Sequence, residues 1–355
     1  MTAVRAEVKF REAAIKRVIG TSCTFSLVSE SFGNASRNAF FHKACAYLPG
    51  ADELYTTSEL LQSSSSSGLP VILISKLSFG RATDSSSPRM DLGTGAPSPC
   101  PVAGVEWMKL RPPPDMPMPS GAIPYKNGIL YCSQGTLDPV GGGLYYMPQG
   151  KRPIPIIKNY LGKPFNSLQS VVEDKFGSLW FTDSCAGHEY GIRPSPQLPN
   201  LVYWYHPMTG ALRIVEDGLK RPGGIALGPG QNTLYITDTE AAHPGNDKAS
   251  TSAATIYAYD LSYGLSGSPL LTNRRVFSFA FSGVPAAVVC DPHGNVYAAC
   301  GDGVEVWNSE GIPLGIIGIP EGCSSLCFGH KGELFLGGGR NLWQVQLNGS
   351  VFWGG

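Results

Sequence analysis

The sequence predicts an all-β chain, a six-bladed β-propeller of four-stranded antiparallel blades. Three observations point there: a turn-rich, charge-poor composition, a short strand phrase that recurs six times, and aromatic strands that follow the phrase. Of 355 residues, 44 are Gly and 29 are Pro, while 15% are charged, against roughly 25% in typical soluble domains. Such a chain favours many short strands joined by tight turns over helices. All-β folds run to this length as one domain, so length does not divide the chain.

The phrase is a turn residue, an apolar or aromatic pair, then small polar residues. It occurs at 52–57, 127–132, 177–183, 232–238, 294–299 and 332–337. A strand-like run and a turn precede it, as in Ala287-Val288-Val289 and Asp291-Pro292-His293-Gly294-Asn295, which together read as a hairpin. An aromatic third strand follows, as in Leu201-Val202-Tyr203-Trp204-Tyr205 and Thr255-Ile256-Tyr257-Ala258-Tyr259, and most copies have room for a fourth. The spacing between copies is irregular, which suits a propeller whose loops cover its two faces better than a solenoid.

Residues 38–355 therefore read as a single propeller, with a Pro/Ser-rich loop at about 81–120 that contains Arg111-Pro112-Pro113-Pro114. Residues 1–37 read as an N-terminal extension. Val4, Val8, Ile15, Val18 and Ile19 sit at near-helical spacing, which predicts a short amphipathic surface helix, with a misassigned start codon as the other option.

Net charge is zero and no basic stripe is present, so nucleic acid is excluded as a main partner. No run of 18 apolar residues exists, which predicts no membrane span. The N-terminus lacks an apolar signal core, so as written the chain reads as cytoplasmic. The sequons at Asn34 and Asn348 matter only on a secretory route, and the compartment stays open. Nine cysteines include no pair at zinc spacing, and Cys323 and Cys327 read as buried thiols.

From about residue 40 to 347 the chain resembles the senescence-marker-protein/gluconolactonase (regucalcin-like) family, especially its fungal lactonohydrolase-type branch. The resemblance rests on Phe165-Asn166-Ser167-Leu168-Gln169, Leu179-Trp180-Phe181-Thr182-Asp183, Gly191-Ile192-Arg193-Pro194, Arg221-Pro222-Gly223-Gly224-Ile225-Ala226 and Gly301-Asp302-Gly303-Val304-Glu305-Val306-Trp307, in that order and register. It implies a divalent ion at the mouth of the central channel, held by a Glu of the first blade, two Asn of the middle blades and an Asp that is also the general base. Carried over by position, these four fall on Lys43, Gln169, Gly223 and Ala286.

Gly223 and Ala286 bring no side-chain oxygen, whereas calcium and magnesium need several. A Lys43 ammonium about 4 Å from a divalent ion would repel it by roughly 8 kcal/mol at an effective dielectric near 20. The expectation is therefore no metal, no other cofactor, and no hydrolysis by a metal-activated water.

Lys43 and Gln169 are the candidate catalytic residues. Lys43 reads either as a hydrogen-bond donor or general acid, or as a lysine that snorkels or pairs with a carboxylate. Gln169 reads as an amide aimed at the ligand or as a satisfied core amide. Arg193 and Tyr190, with His188, lie on a loop that overhangs the channel in this fold, although loop arginines are usually solvated. Asp183 and Asp238 end strand phrases, where aspartates more often cap turns than do chemistry. They complete the candidate substrate-binding set with Gly223 and Ala286, whose small size is expected to widen the cavity. His42 is expected to point away from the channel, between blades.

A metal-lacking channel mouth with one cation and one amide suits a large neutral organic ligand. The chain is similar to metal-lacking fungal members of the family that act as hetero-Diels-Alderases in secondary metabolism. That resemblance implies small-molecule substrates, an o-quinone methide from a tropolone or aromatic precursor and a humulene-type sesquiterpene. The alternatives are a lactonase or esterase of the gluconolactonase type and a non-catalytic metabolite-binding propeller.

Overall fold

The structure is a computed structural model that describes residues 7–10, 15–20, 23–31, 38–62, 70–81, 102–138, 141–242, 252–264 and 268–347. Val4, both sequons and residues 82–101 of the expected loop lie outside the described residues.

Three elements come before the first blade: β1 (Glu7–Phe10), α1 (Ile15–Ile19) and β2 (Thr24–Glu30). Blade one is β3 (Cys45–Leu48), β4 (Glu53–Thr57), β5 (Ile74–Arg81) and β6 (Val102–Leu110); blade two is β7 (Pro119–Tyr125), β8 (Gly128–Ser133), β9 (Gly143–Pro148) and β10 (Ile154–Ile157). A two-residue hairpin, β11 (Asn159–Tyr160) and β12 (Lys163–Pro164), leads into blade three. Blade three is β13 (Leu168–Glu173), β14 (Leu179–Asp183), β15 (Leu201–His206) and β16 (Ala211–Glu216), with α2 (Ala186–Glu189) between its second and third strands. Blade four is β17 (Pro222–Leu227), β18 (Thr233–Asp238), β19 (Thr255–Tyr263) and β20 (Pro269–Phe279). Blade five contains β21 (Ala287–Cys290), β22 (Val296–Cys300), β23 (Gly303–Trp307) and β24 (Pro313–Gly318), and blade six contains β25 (Ser325–Phe328), β26 (Glu333–Gly338) and β27 (Asn341–Gln346). The six sheets form a six-bladed β-propeller, with first strands innermost.

Each of the six phrases supplies the second strand of a blade. These strands are apolar on both faces because both pack against neighbouring blades, and β8, β14, β22 and β26 are buried throughout. In blades three and five the turn before the second strand is braced by one aspartate. Asp174 accepts hydrogen bonds from the Phe176 and Ser178 amides (2.9 and 3.0 Å), and Asp291 accepts from those of His293 and Asn295 (both 2.9 Å).

The N-terminal extension is not the expected surface helix. β1 adds a fifth strand to blade five (Glu7 opposite Gly318), and β2 is the missing fourth strand of blade six (Thr24 opposite Gln346). Among the described residues the helical spacing is realised in α1, whose Ile15, Val18 and Ile19 are buried beside Val304, Val306, Leu336 and Val345, between blades five and six. The Pro/Ser-rich loop is likewise shorter than expected. β6 falls within it and pairs along all of β5, with Glu106 and Lys109 on an edge strand that hides its alternation.

The ring thus closes on a blade made from both chain ends, and several contacts join it to blade one. Phe41 and Gly339 exchange backbone hydrogen bonds (2.8 and 3.0 Å), the Phe79 and Phe335 rings stack at 5.1 Å, and Arg81 bridges Asp52 (2.6 Å) and Glu333. Deleting residues 1–31 strips β27 of its outer partner and leaves it paired only with β26. Calorimetry of that variant should show a transition lowered by roughly 10 °C or more, or no cooperative transition; an unchanged midpoint would contradict the closure described.

Candidate functional site

The first strands surround a central cavity of about 1140 Å³. Lys43, Gln169, Gly223 and Ala286, drawn from four blades, all line it, so the four positions that the resemblance singles out do converge.

Lys43 lies just before β3, in a turn fixed by the His42 and Lys43 amides, which share the Thr57 carbonyl (2.9 and 3.2 Å). Its Nζ donates to Gln169 Oε1 at 3.2 Å. The amide nitrogen of Gln169 is engaged behind it, donating to Ser167 O (2.8 Å), Ser167 Oγ (2.9 Å) and Gln134 Oε1 (3.4 Å). Gln169 is therefore a satisfied amide and, for that reason, one whose oxygen is held toward the lysine. Among the described residues no carboxylate pairs with Lys43. Burial first, and the charge of Arg221 second, push its ammonium down to about 8.

His42 also lines the cavity, contrary to the expectation that it points between blades, because the chain has not yet entered the strand and period-two alternation does not apply. Burial and the neighbouring Lys43 lower it to about 4, so it is neutral at pH 7.

Arg193 does not reach the channel. Its buried guanidinium donates to the carbonyls of Asn166, Thr136, Asp138 and Phe165 at 2.7–2.8 Å, tying three loop segments together. The packing is close enough to require glycine on either side. A Cβ on Gly187 would lie 2.5 Å from Arg193 Cγ, and one on Gly135, which has φ of +83°, 2.6 Å from Nη1. The His188 ring lies with Nδ1 3.4 Å from the Arg193 carbonyl.

Asp183 and Asp238 are buried braces rather than ligand contacts. Asp183 accepts from the Asn166 and Ser167 amides (3.0 and 2.6 Å), and Asp238 from those of Lys220 and Arg221 (2.9 and 3.0 Å). Burial raises Asp183 to about 7. Tyr190 does line the channel and is 46% exposed. Ala286 lines it too, its amide bonded to Ala299 O (2.9 Å). The space expected beside Gly223 is filled, since a Cβ there would meet Thr239 Cγ2 at 2.8 Å and Thr237 Oγ1 at 3.0 Å.

Sequence reasoning passed over Arg221. It is buried, lines the channel, pairs with Glu189 of α2 (Nε to Oε2, 3.0 Å) and lies 5.6 Å from the centre of the Tyr190 ring. It stands immediately before β17, two positions ahead of Gly223, and nothing near it in sequence marked it out.

The donor set does not fit a divalent ion. One of the four positions is an ammonium, two carry no side-chain oxygen, and among the described residues no group of three or more His, Cys, Asp or Glu could hold a metal. Nor is any helix among them long and apolar enough to cross a membrane.

The profile of the SMP-30/Gluconolactonase/LRE-like region matches residues 114–337. The chain belongs to that family. It is 31% identical over 247 residues to the gluconolactonase of Zymomonas mobilis (65% of this chain, 66% of the relative). With the lactonohydrolase oryH of Aspergillus oryzae it shares 34% over 309 residues (66% and 65%). A second Aspergillus oryzae lactonohydrolase, oryL, is 30% identical over 54% of this chain and 47% of its own, so the match spans about half to two thirds of these relatives' length. Among solved structures, the gluconolactonase XC5397 of Xanthomonas campestris superposes with a TM-score of 0.70 at 21% identity, over 97% of this chain and 96% of that one, which shows the shared fold.

Lys43 and Arg193 should part in a thermal melt. Because the folded-state pKa of Lys43 lies below its ordinary 10.5, its protonation destabilises the fold below about pH 8, and this cost fades as pH rises toward 10.5. Lys43→Met should therefore raise the midpoint by a few degrees at pH 7 and by little near pH 10. Arg193→Met, which strands four carbonyls, should lower it by roughly 5–10 °C at both. A stabilised Arg193 variant would return that residue to the candidate ligand set.

Proposed function

We propose that this chain activates the carbonyl of a lactone, or of a related compound bulkier than a sugar lactone, with the Lys43 ammonium in the place where its family would carry a metal. The observation that carries the reading is the Lys43 Nζ to Gln169 Oε1 contact of 3.2 Å at the cavity wall, with Arg221 as a second cation of the same cavity. The names of the relatives, gluconolactonase and lactonohydrolase, favour hydrolysis.

In that reaction Lys43 donates a hydrogen bond to the lactone carbonyl and stabilises the oxyanion that forms when water adds to the carbon. His42, neutral and on the same wall, accepts the proton of the attacking water. Collapse of the intermediate breaks the ring C–O bond, and the proton passes to the leaving alkoxide, giving a hydroxy acid.

A second reading is favoured by one specific feature. A cavity of about 1140 Å³, walled in part by Val172, Ile225, Val288 and Leu326, exceeds what a sugar lactone fills. It suits two apolar reactants held together for a hetero-Diels-Alder addition of a tropolone-derived o-quinone methide to a humulene-type sesquiterpene. Lys43 would then stabilise charge on the quinone-methide oxygen, and alignment would supply much of the acceleration.

Both readings use the protonated lysine, so turnover should fall as pH rises through about 8. It should be insensitive to EDTA and drop roughly 100-fold in Lys43→Ala. Incubation with a panel of aromatic and aldonic lactones, and separately with a hydroxymethyl tropolone plus humulene, decides between them. EDTA-sensitive turnover, or full activity in Lys43→Ala, would overturn the assignment of Lys43.

A further inference from the structure

The channel wall next to Lys43 carries a second piece of chemistry, a pair of thiols. Cys45, the first residue of β3 in blade one, and Cys327, in β25 of blade six, both line the central cavity and place their sulfurs 3.1 Å apart. They are 282 positions apart in sequence and face each other across the joint where the ring closes. A third channel thiol, Cys323, is turned aside, its Sγ donating to Ser325 O at 3.2 Å. The Cys45 sulfur also lies 3.8 Å from the Phe335 carbonyl, which holds it on the side of Cys327.

We infer that Cys45 and Cys327 are an oxidisable pair that forms a disulfide between the first and last blades when a hydroperoxide or a small-molecule disulfide enters the channel. The sulfurs need to close by about 1 Å to reach the bonded distance of about 2.05 Å. The elements that carry them are ends of innermost strands, already in contact across the joint. Access is through the cavity, since Cys45 is otherwise buried.

With hydrogen peroxide the steps balance as follows. One thiol sulfur attacks the peroxide, the O–O bond breaks, and a sulfenic acid and one water result. The second thiol sulfur then displaces the sulfenic hydroxyl, which leaves as water with the second thiol proton. Two thiols and one peroxide give one disulfide and two waters. Burial holds the Cys45 thiol well above its ordinary range, which makes it a slow thiol in the absence of a neighbour. The 3.1 Å contact supplies that neighbour.

The consequence is structural. A cross-link here closes a loop containing all of the chain from blade one to blade six, so the oxidised protein unfolds from a smaller ensemble. It also fixes the wall two residues from Lys43.

The test uses the full chain, reduced and then exposed to hydrogen peroxide in modest excess or to oxidised glutathione, quenched by alkylation under denaturing conditions. Of the nine cysteines, two should become resistant to alkylation. Non-reducing peptide mapping should find Cys45 joined to Cys327, and the melting midpoint should rise by several degrees, reversibly with dithiothreitol. In Cys327→Ser the cross-linked peptide and the rise should both disappear. Alkylatable Cys45 and Cys327 after oxidation, pairing of Cys45 with Cys323, or separate glutathione adducts on the two thiols would each overturn the inference, and the wild-type mapping decides this even if the variant does not fold.

Discussion

A ring of six sheets depends on its last joint. Blades one to four are each built from continuous stretches of chain, and blade five has four consecutive strands with β1 added at its outer edge, but blade six takes three strands from residues 325–346 and its fourth from residues 24–30. Until β2 pairs with β27, the outer edge of that blade has open backbone donors and acceptors and the first strands have no fixed common axis. The joint to blade one is accordingly reinforced by different kinds of contact at different depths: backbone bonds between Phe41 and Gly339, an aromatic stack of Phe79 on Phe335, and the Asp52–Arg81–Glu333 ion network. Lys43 follows directly on the Phe41 bridge, so the position of the channel cation is set by the same closure.

The site follows from what this geometry does to side chains that enter the axis. Lys43 and Arg221, just before the first strands of blades one and four, line the channel, and in blades one, three and four the backbone entering the first strand is fixed by an aspartate or threonine of the following strand. Thr57 does this for Lys43, Asp238 for Arg221 and Asp183 for the segment leading to Gln169. A half-buried cation without a carboxylate partner is costly, and the lowered pKa of Lys43 expresses that cost. The fold tolerates it because Gln169 offers an acceptor and because the walls at Gly223 and Ala286 are neutral. In the proposed reaction the ammonium offers a hydrogen bond where the resemblance implies a Lewis acid.

How much of this was legible in the sequence depends on the range of the interaction involved. The six second strands are apolar on both faces, so each announces itself locally, and the convergence of Lys43, Gln169, Gly223 and Ala286 follows from their register in the repeat. The roles of β1, β2 and β6 were hidden because edge strands are half solvated, and Thr24–Glu30 reads as polar while its partner lies some 300 residues away. Arg193 misled because a loop arginine is ordinarily solvated, and only the fold brings four carbonyls around it. Arg221 and the Cys45–Cys327 contact were missed for the converse reason, since nothing near them in sequence marks them out.

The central claim is that an ammonium with a lowered pKa stands where the resemblance implies a metal ligand. Its most direct test is the titration of Lys43 itself, followed by NMR of the side-chain methylene next to the amine in protein labelled at lysine and assigned with the Lys43→Met variant. The account predicts one lysine with a midpoint near 8. An ordinary midpoint near 10.5 for that residue would mean a solvated side chain and would contradict it.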